Sequence, residues 1–261
     1  MLTNEQVDQY HRAGFVNGGP LLDDQTVATL QAEVLRVIAD RDNPAAPQPV
    51  LLRDLSGTPE LEVWQILNIW EASAAFRALA SHPKLLEIAV QLSGASQLRI
   101  WHDQIIYKPK EAGGVLGWHQ DSPLWDILQP KTEQVTAWVA LDDAEADNGC
   151  MYMVPGSNRW GDKLTAIADL REQGPMPERF EDHDLYVLTC PVKKGYVHFH
   201  HPLTWHGSGV NYSSRPRRAI AIHYMTEKVT YDDSGTHPMK AFVHIAPGAM
   251  LEGEAFPKVW G

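Results

Sequence analysis

From about residue 97 onward the chain is written in short β-type runs separated by clusters of Gly, Pro, Asn and Asp, and this texture constrains the fold more than any other feature. The runs are LRIWHDQIIYK, VTAWVAL, LYVLTCPV, YVHFH, RAIAIHYM and KAFVHIA. No helical pattern alternates regularly with them, which argues against a doubly wound parallel sheet and for a sandwich or barrel of antiparallel strands.

The residues before that point read differently. Thr3 with Gln6 makes a capping-box start, and NGGP at 17–20 closes a first short helix and a brief extended piece around Phe15 and Val16. Val27, Leu30, Val34, Leu35 and Ile38 recur at helical spacing until a proline-rich stretch at 43–49 stops them. Pro83, LLEIAVQL and Gly94 predict a further helix. The 261 residues suit one catalytic domain with helical additions: a mostly helical part at 1–95, a β core at 96–246 and a tail at 247–261. A polar insertion with one short helix is expected at 157–184, and Trp260 of the tail is expected to pack back on the body.

Charge and composition exclude several functions. With 33 acidic and 22 basic residues the net charge is −11, which opposes a phosphate backbone and argues against nucleic acid as a partner. No apolar run approaches the roughly 20 residues that cross a bilayer. The opening residues also lack the basic-then-apolar order of a secretory signal, so the expected location is cytoplasmic, with no membrane partner. Cys150 and Cys190 lie in no CxxC pattern, which leaves neither a disulfide framework nor a zinc-thiolate site and reads as two reduced, buried thiols. The oligomeric state stays open.

WHQD at 118–121 is the sharpest motif. Residues i and i+2 of a strand project from one face, so His119 and Asp121 would aim an imidazole and a carboxylate at one point. The best third ligand is His206 in TWHGSG. Two neutral imidazoles and one carboxylate leave several positions of a divalent metal open, as in non-haem iron(II) oxygenases, whereas a structural zinc is closed by four protein ligands. Alone the HxD pair is weak, because twelve histidines are present, and a surface-loop ion pair or a helix-start pattern explains it better.

The residues after His206 raise its weight. Ser208 lies two positions on, and the arginines of SRPRRA follow a turn. An Arg behind an iron site grips a carboxylate bidentately as Lys cannot, and a hydroxyl adds a donor; together they suit the far carboxylate of 2-oxoglutarate. Arg217 and Arg218 point to opposite faces of a strand, so only one of them looks inward. Arg215 and Arg218 read as a solvated basic turn.

Together these residues resemble the phytanoyl-CoA dioxygenase (PhyH) family of Fe(II)/2-oxoglutarate oxygenases over nearly the whole chain. The blocks that carry the resemblance are TNEQVDQYHRAGFV, DQIIYKP, GWHQDSPLW, TAWVALDDAEADNGCMYMVPGSN and HPLTWHGSGVNYSSRPRRAIAIHY, in that order. The resemblance implies a mainly β fold with flanking helices, a double-stranded β-helix or cupin-like jelly roll. It implies iron ligation by His119, Asp121 and His206, and 2-oxoglutarate held by Arg217, rather than Arg218, with Ser208. Lys108 and Trp138 are implied in the same pocket, against ordinary readings as a strand-end lysine and a core aromatic. Some relatives replace the metal carboxylate by a small residue to admit halide; Asp121 is present here, which argues against halogenation.

The implied activity is hydroxylation of an unactivated C–H bond of a small molecule by dioxygen, with 2-oxoglutarate as co-substrate, succinate and CO2 as co-products, and ascorbate as a stimulant. Its rivals are a metal-dependent hydrolase on a cupin-like barrel and a non-catalytic 2-oxoglutarate-binding sensor. Substrate-wall expectations fall on Gln104, Trp118, Gln120 and Trp125, with Trp64 and Asn68 read as packing. His198, His200, His201 and His223 need no catalytic role, and of these His201 is the one expected to support the metal site from behind. Lys193, Lys194, Arg215 and Arg218 read as solvated surface rather than as a receptor for an acyl-CoA or a phosphonate.

Overall fold

A computed structural model describes residues 1–56, 62–111, 114–173 and 176–261. Helix α1 (Asn4–Ala13) starts on the capping box: the Gln6 amide donates to Thr3 Oγ1 at 3.2 Å, and the Thr3 amide donates to Gln6 Oε1 at 2.9 Å. Gly14, at φ 88°, ends it and turns the chain into strand β1 (Phe15–Pro20). Helix α2 (Asp24–Ala39), capped by Asp23, buries Val27, Leu30, Val34 and Ile38. Leu35 is instead 49% exposed, and Val37 takes the buried place.

Two short strands, β2 (Leu51–Asp54) and β3 (Trp64–Leu67), follow and pair antiparallel. The part expected to be mostly helical thus supplies β1, β2 and β3 to a sheet; at four residues β2 and β3 are too short to display a period of two. Helices α3 (Ile69–Ala72), α4 (Ala74–Ala80) and α5 (Pro83–Ser93) complete it, with Pro83 in the first turn of α5 and Gly94 at φ 66° beyond its end.

The β core then runs β4 (Leu98–Lys108), β5 (Leu116–His119), a single turn α6 (Asp121–Leu124), β6 (Leu128–Gln129), β7 (Gln134–Ala140) and β8 (Met151–Met153). Helix α7 (Leu164–Gln173) and the paired strands β9 (Arg179–Phe180) and β10 (His183–Asp184) form the insertion. After them come β11 (Leu188–Cys190), β12 (Tyr196–His200), β13 (His206–Ser208), β14 (Arg217–Thr226), β15 (Thr230–Tyr231) and β16 (Lys258–Trp260). KAFVHIA, read as a strand, forms none: Pro238–Phe242 is a 3-10 turn, which Pro238 favours by withholding an amide from any ladder. The tail does return to the body, since β16 pairs with β4, although Trp260 stays 37% exposed.

The major sheet has the order β1-β12-β7-β14-β4-β3-β2, with β16 also on β4, and every pairing is antiparallel. The minor sheet has the order β11-β8-β13-β5 and faces it, giving the jelly roll. The two faces of the major sheet are spent differently. On the outer face Ile105, Val139, Val197, Phe199, Ile220 and Ile222 join buried residues of α2, α4 and α5 in the largest apolar cluster. Each such side chain, fully buried, stabilises the fold by roughly 1.5–3 kcal/mol.

The inner face carries polar and small residues. Register places His102 of β4 beside His223 of β14, Thr136 of β7 and His200 of β12 in one row across four strands. The next rows are Gln104–Ala221–Trp138 and Ile106–Ala219–Ala140, and the last is Lys108–Arg217. Two alanines on β14 leave room between the sheets, so the site lies there while the core lies behind.

Gly207 holds the minor sheet close. A Cβ on it would meet the Leu116 carbonyl at 2.9 Å and the Trp118 amide at 3.2 Å, both on β5. Gly207→Ala is therefore expected to force β13 from β5, lowering stability by about 1–3 kcal/mol in denaturant unfolding.

Candidate metal centre and its two compartments

His119 ends β5, Asp121 opens α6 and His206 opens β13, and His206 pairs directly with His119 across the minor sheet. One ligand atom from each lies within 4.8 Å of the others. Asp121 Oδ1 stands 3.7 Å from His119 Nε2 and 3.5 Å from His206 Nε2. Carbonyls set the tautomers: Gly117 O lies 2.7 Å from His119 Nδ1 and Thr204 O lies 2.9 Å from His206 Nδ1. A carbonyl only accepts, so each Nδ1 carries the proton and each Nε2 turns a lone pair to the centre. Burial pushes His206 down to about 4, so at neutral pH it could take a metal without first losing a proton.

The second oxygen of Asp121 is bound from the major sheet. His200 Nε2 lies 3.0 Å from Oδ2, and the Thr136 hydroxyl donates to it at 3.0 Å. Having given its one proton, Thr136 accepts from His223 Nδ1 at 2.8 Å. Burial alone would push the Asp121 carboxyl up; His206, His200 and His223 hold it well below the usual carboxylate range. The supporting histidines are therefore His200 and His223. His201, the expected one, lies elsewhere, its Nδ1 accepting from the Leu203 amide and its ring near Tyr10. Strand alternation explains it: His200 faces inward on β12, and His201 comes after the strand ends.

Two cavities meet at this centre, sharing His119, Asp121, His223, Gln104 and Leu116 in their walls. The narrower one lies between the sheets, and Trp138, Ser208 and Arg217 line it. Arg217 is 2% exposed; it donates to the Ile106 carbonyl at 3.2 Å, stands over the Trp138 ring at 5.7 Å, and leaves Nε without a partner. Lys108 is fully buried beside it and donates to Ser208 Oγ at 2.8 Å and to the Gly209 carbonyl. It stands behind Ser208 rather than in the cavity wall, leaving the serine proton free to donate inward. Burial pushes Lys108 down to about 6, with the Arg217 charge adding to it, and pushes Arg217 down to about 10.

Among the described residues no carboxylate pairs with Arg217 or Lys108, so the Arg217 charge suits an anion as its missing partner. Arg218, one residue on, turns to the other face and pairs with Asp142 at 2.7 Å. Arg215 pairs with Glu145 and Asp147, and Lys194 with Asp24.

The wider cavity encloses about 410 Å³ and opens from the triad along β2, β3 and β4. Gln104 and Trp125 lie in its wall as the sequence suggests. Trp118 and Gln120 do not. Trp118 alternates away from His119 and packs under the insertion with Val154, Ile167 and Trp205. Gln120 is buried on the same side, donating to the Gly161 and Leu203 carbonyls and accepting from the Lys163 amide. Trp64 sits in the main core, and Asn68 is buried with its side chain on Glu71 and Asp103. Arg53, Gln65, His102 and His237, which no motif marks, complete the wall.

The family description Phytanoyl-CoA dioxygenase (PhyH) matches residues 10–219. The chain is 26% identical to the mouse "Phytanoyl-CoA dioxygenase, peroxisomal", covering 90% of this chain and 72% of that protein. It is 26% identical to the "Ectoine dioxygenase" of Bordetella bronchiseptica, covering 99% and 85%. The crystal structure of SnoK, a non-heme alpha ketoglutarate dependent carbocyclase from nogalamycin biosynthesis, superposes with a TM-score of 0.78 at 25% identity, covering 98% and 96%. An antiparallel jelly roll around a metal-binding triad defines the class, the 2-oxoglutarate-dependent non-haem iron dioxygenases. Within that class the chain belongs to the phytanoyl-CoA dioxygenase family.

Thr136→Val removes the hydroxyl from Asp121 Oδ2 and strands His223 Nδ1. It is expected to lower metal affinity about tenfold to a hundredfold, read by competition with a chelator. A pH effect follows from Lys108, whose free-site value is about 6. A bound anion favours the ammonium and raises that value, so above pH 6 anion binding takes up a proton and affinity falls as pH rises. Calorimetry of 2-oxoglutarate binding near pH 7.5 in buffers of different ionisation enthalpy should show this uptake, and Lys108→Met should abolish it.

Proposed function

We propose that this chain oxidises an unactivated C–H bond of a small molecule held in the wider cavity, using 2-oxoglutarate held in the narrower one. The observation that carries this reading is the meeting of two unlike cavities at His119 and Asp121, the narrower one lined also by His206 and backed by the buried Arg217 cation, the other wide and open. The donor set, two imidazoles and one carboxylate oxygen, fits ferrous iron and leaves positions for other ligands. Bound there, the metal with its oxoacid supplies dioxygen activation, releasing succinate and CO2 and oxidising the substrate carbon.

The protein's residues then have definite tasks. Arg217 and Ser208 bind the far carboxylate of the oxoacid, and Lys108 orients the serine hydroxyl toward it. Trp138 stacks beside the guanidinium and, with Ala219 and Ala221, keeps that compartment dry. His200 and Thr136 hold Asp121 with one oxygen turned to the metal. Trp125 and the imidazole row of His102 and His223 form the floor on which the substrate lies.

The test is succinate release by the protein supplied with Fe(II), ascorbate, 2-oxoglutarate and air. Arg217→Met should leave metal affinity unchanged while raising the 2-oxoglutarate requirement by about thirtyfold or more, the effect of removing one partner of a buried charge pair. Turnover of an ester or amide panel with zinc alone, and no succinate with iron, would point to a hydrolase instead. Binding of the oxoacid without succinate release across a broad metabolite panel would point to a sensor.

A further inference from the structure

The wider cavity holds a chain of side chains that the roles above leave unused. Arg53 of β2 donates through Nε to Gln65 Oε1 at 2.7 Å, and Gln65 of β3 donates through Nε2 to Gln104 Oε1 of β4 at 2.6 Å. A guanidinium has no acceptor, so it dictates the orientation of both amides down the line. Gln65 must present its oxygen to Arg53 and its nitrogen to Gln104, and among the described residues the Gln104 amide nitrogen, beside the triad, makes no hydrogen bond. This relay therefore presents donors to the cavity: the Nη atoms of Arg53 at the outer end and the Gln104 amide at the inner end.

The surroundings give this wall a charge preference. Among the described residues Arg53 makes no ion pair, although the chain carries a net charge of −11. Asp121, committed to the metal centre, is the one carboxylate among the described residues of the cavity wall. His237 is pushed down to about 4 by burial, so it adds no charge at neutral pH. Leu116, Leu124 and Leu164 also line the cavity and are apolar. From β2 to β4 is two strand spacings, roughly 10 Å.

Resting on the reading of the wider cavity as the substrate site, we propose that Arg53 binds an oxyanion of the primary substrate, a carboxylate or a phosphate, on a molecule with an apolar body. Gln65 is the positioning residue that tethers the guanidinium. The oxyanion sits at the outer end, the apolar body lies along the leucines, and the Gln104 amide donates to an acceptor near the carbon to be oxidised. An exposed arginine that served only solubility would need no amide relay leading toward a metal centre.

The test is calorimetry on the Fe(II)-loaded protein under argon with saturating 2-oxoglutarate, which keeps Arg217 occupied. The probes are 3-phenylpropanoate against 3-phenylpropanamide, and phenyl phosphate against phenol. At least one anion is expected to bind about tenfold or more tightly than its neutral counterpart, and the tighter of the two identifies the head group. Arg53→Gln should erase that preference and Arg53→Lys should keep part of it. Gln65→Leu, which keeps the cation but not its tether, should weaken the anion several-fold and leave the neutral probe unchanged. Affinity for 2-oxoglutarate should stay constant in all of these variants; its absence in the unmodified protein would count against the proposed function and not against Arg53. Equal binding of anion and neutral probe, no binding of either anion, or full anion affinity in Arg53→Gln overturns the inference.

Discussion

The carboxylate of Asp121 joins the two sheets of this protein. One of its oxygens is held by His200 and Thr136 from the major sheet, and the other faces His119 and His206 of the minor sheet. At 7% exposure such a charge is costly unless its surroundings supply what water would. His200, with the Thr136 hydroxyl, does so by hydrogen bonding on one side, and His119 and His206 turn their Nε2 atoms to the centre on the other. The arrangement needs a cation to complete it, and a bound metal neutralises the charge while tying β5 to β13.

The second unbalanced charge has the opposite sign. Arg217 and Lys108 lie side by side at the start of β14 and the end of β4, with no carboxylate among the described residues to match them. Gly149 makes this crowding possible: at φ +84° it passes so close that a Cβ would stand 2.6 Å from the Gly209 carbonyl and 3.3 Å from Lys108 Nζ. The Asp121 carboxylate and the Arg217 guanidinium thus lie at opposite ends of one compartment. A ligand with a chelating end and a far carboxylate satisfies both, whereas a neutral molecule leaves a charge uncompensated at each end.

Much of this was legible in the residues. WHQD and TWHGSG announced the triad, and the alternation of Arg217 and Arg218 reduced the guanidinium to two choices, which the family spacing narrowed to one and the fold then placed: Arg217 inward, Arg218 on Asp142. Other features were not legible. His200 and His201 look alike in sequence, and only the end of β12 decides which faces Asp121. Trp118 and Gln120 flank the motif so closely that they suggest a substrate wall, yet alternation turns both toward the insertion. Arg53 and Gln65 belong to four-residue strands with no motif, and they reach the cavity because β2 and β3 extend the sheet beyond β4.

The amino-acid sequence by itself determined the chemistry available: which ligand types recur at strand spacing, which cations are within reach of them, and an antiparallel β architecture from runs punctuated by turn residues. These are local properties, set by side-chain chemistry and by a period of two along the chain. Tertiary structure alone decided which histidines support the carboxylate, that Lys108 donates to Ser208, and what lines the wider cavity. Each of those depends on register between strands distant in sequence, where a shift of one residue would turn every side chain to the opposite face.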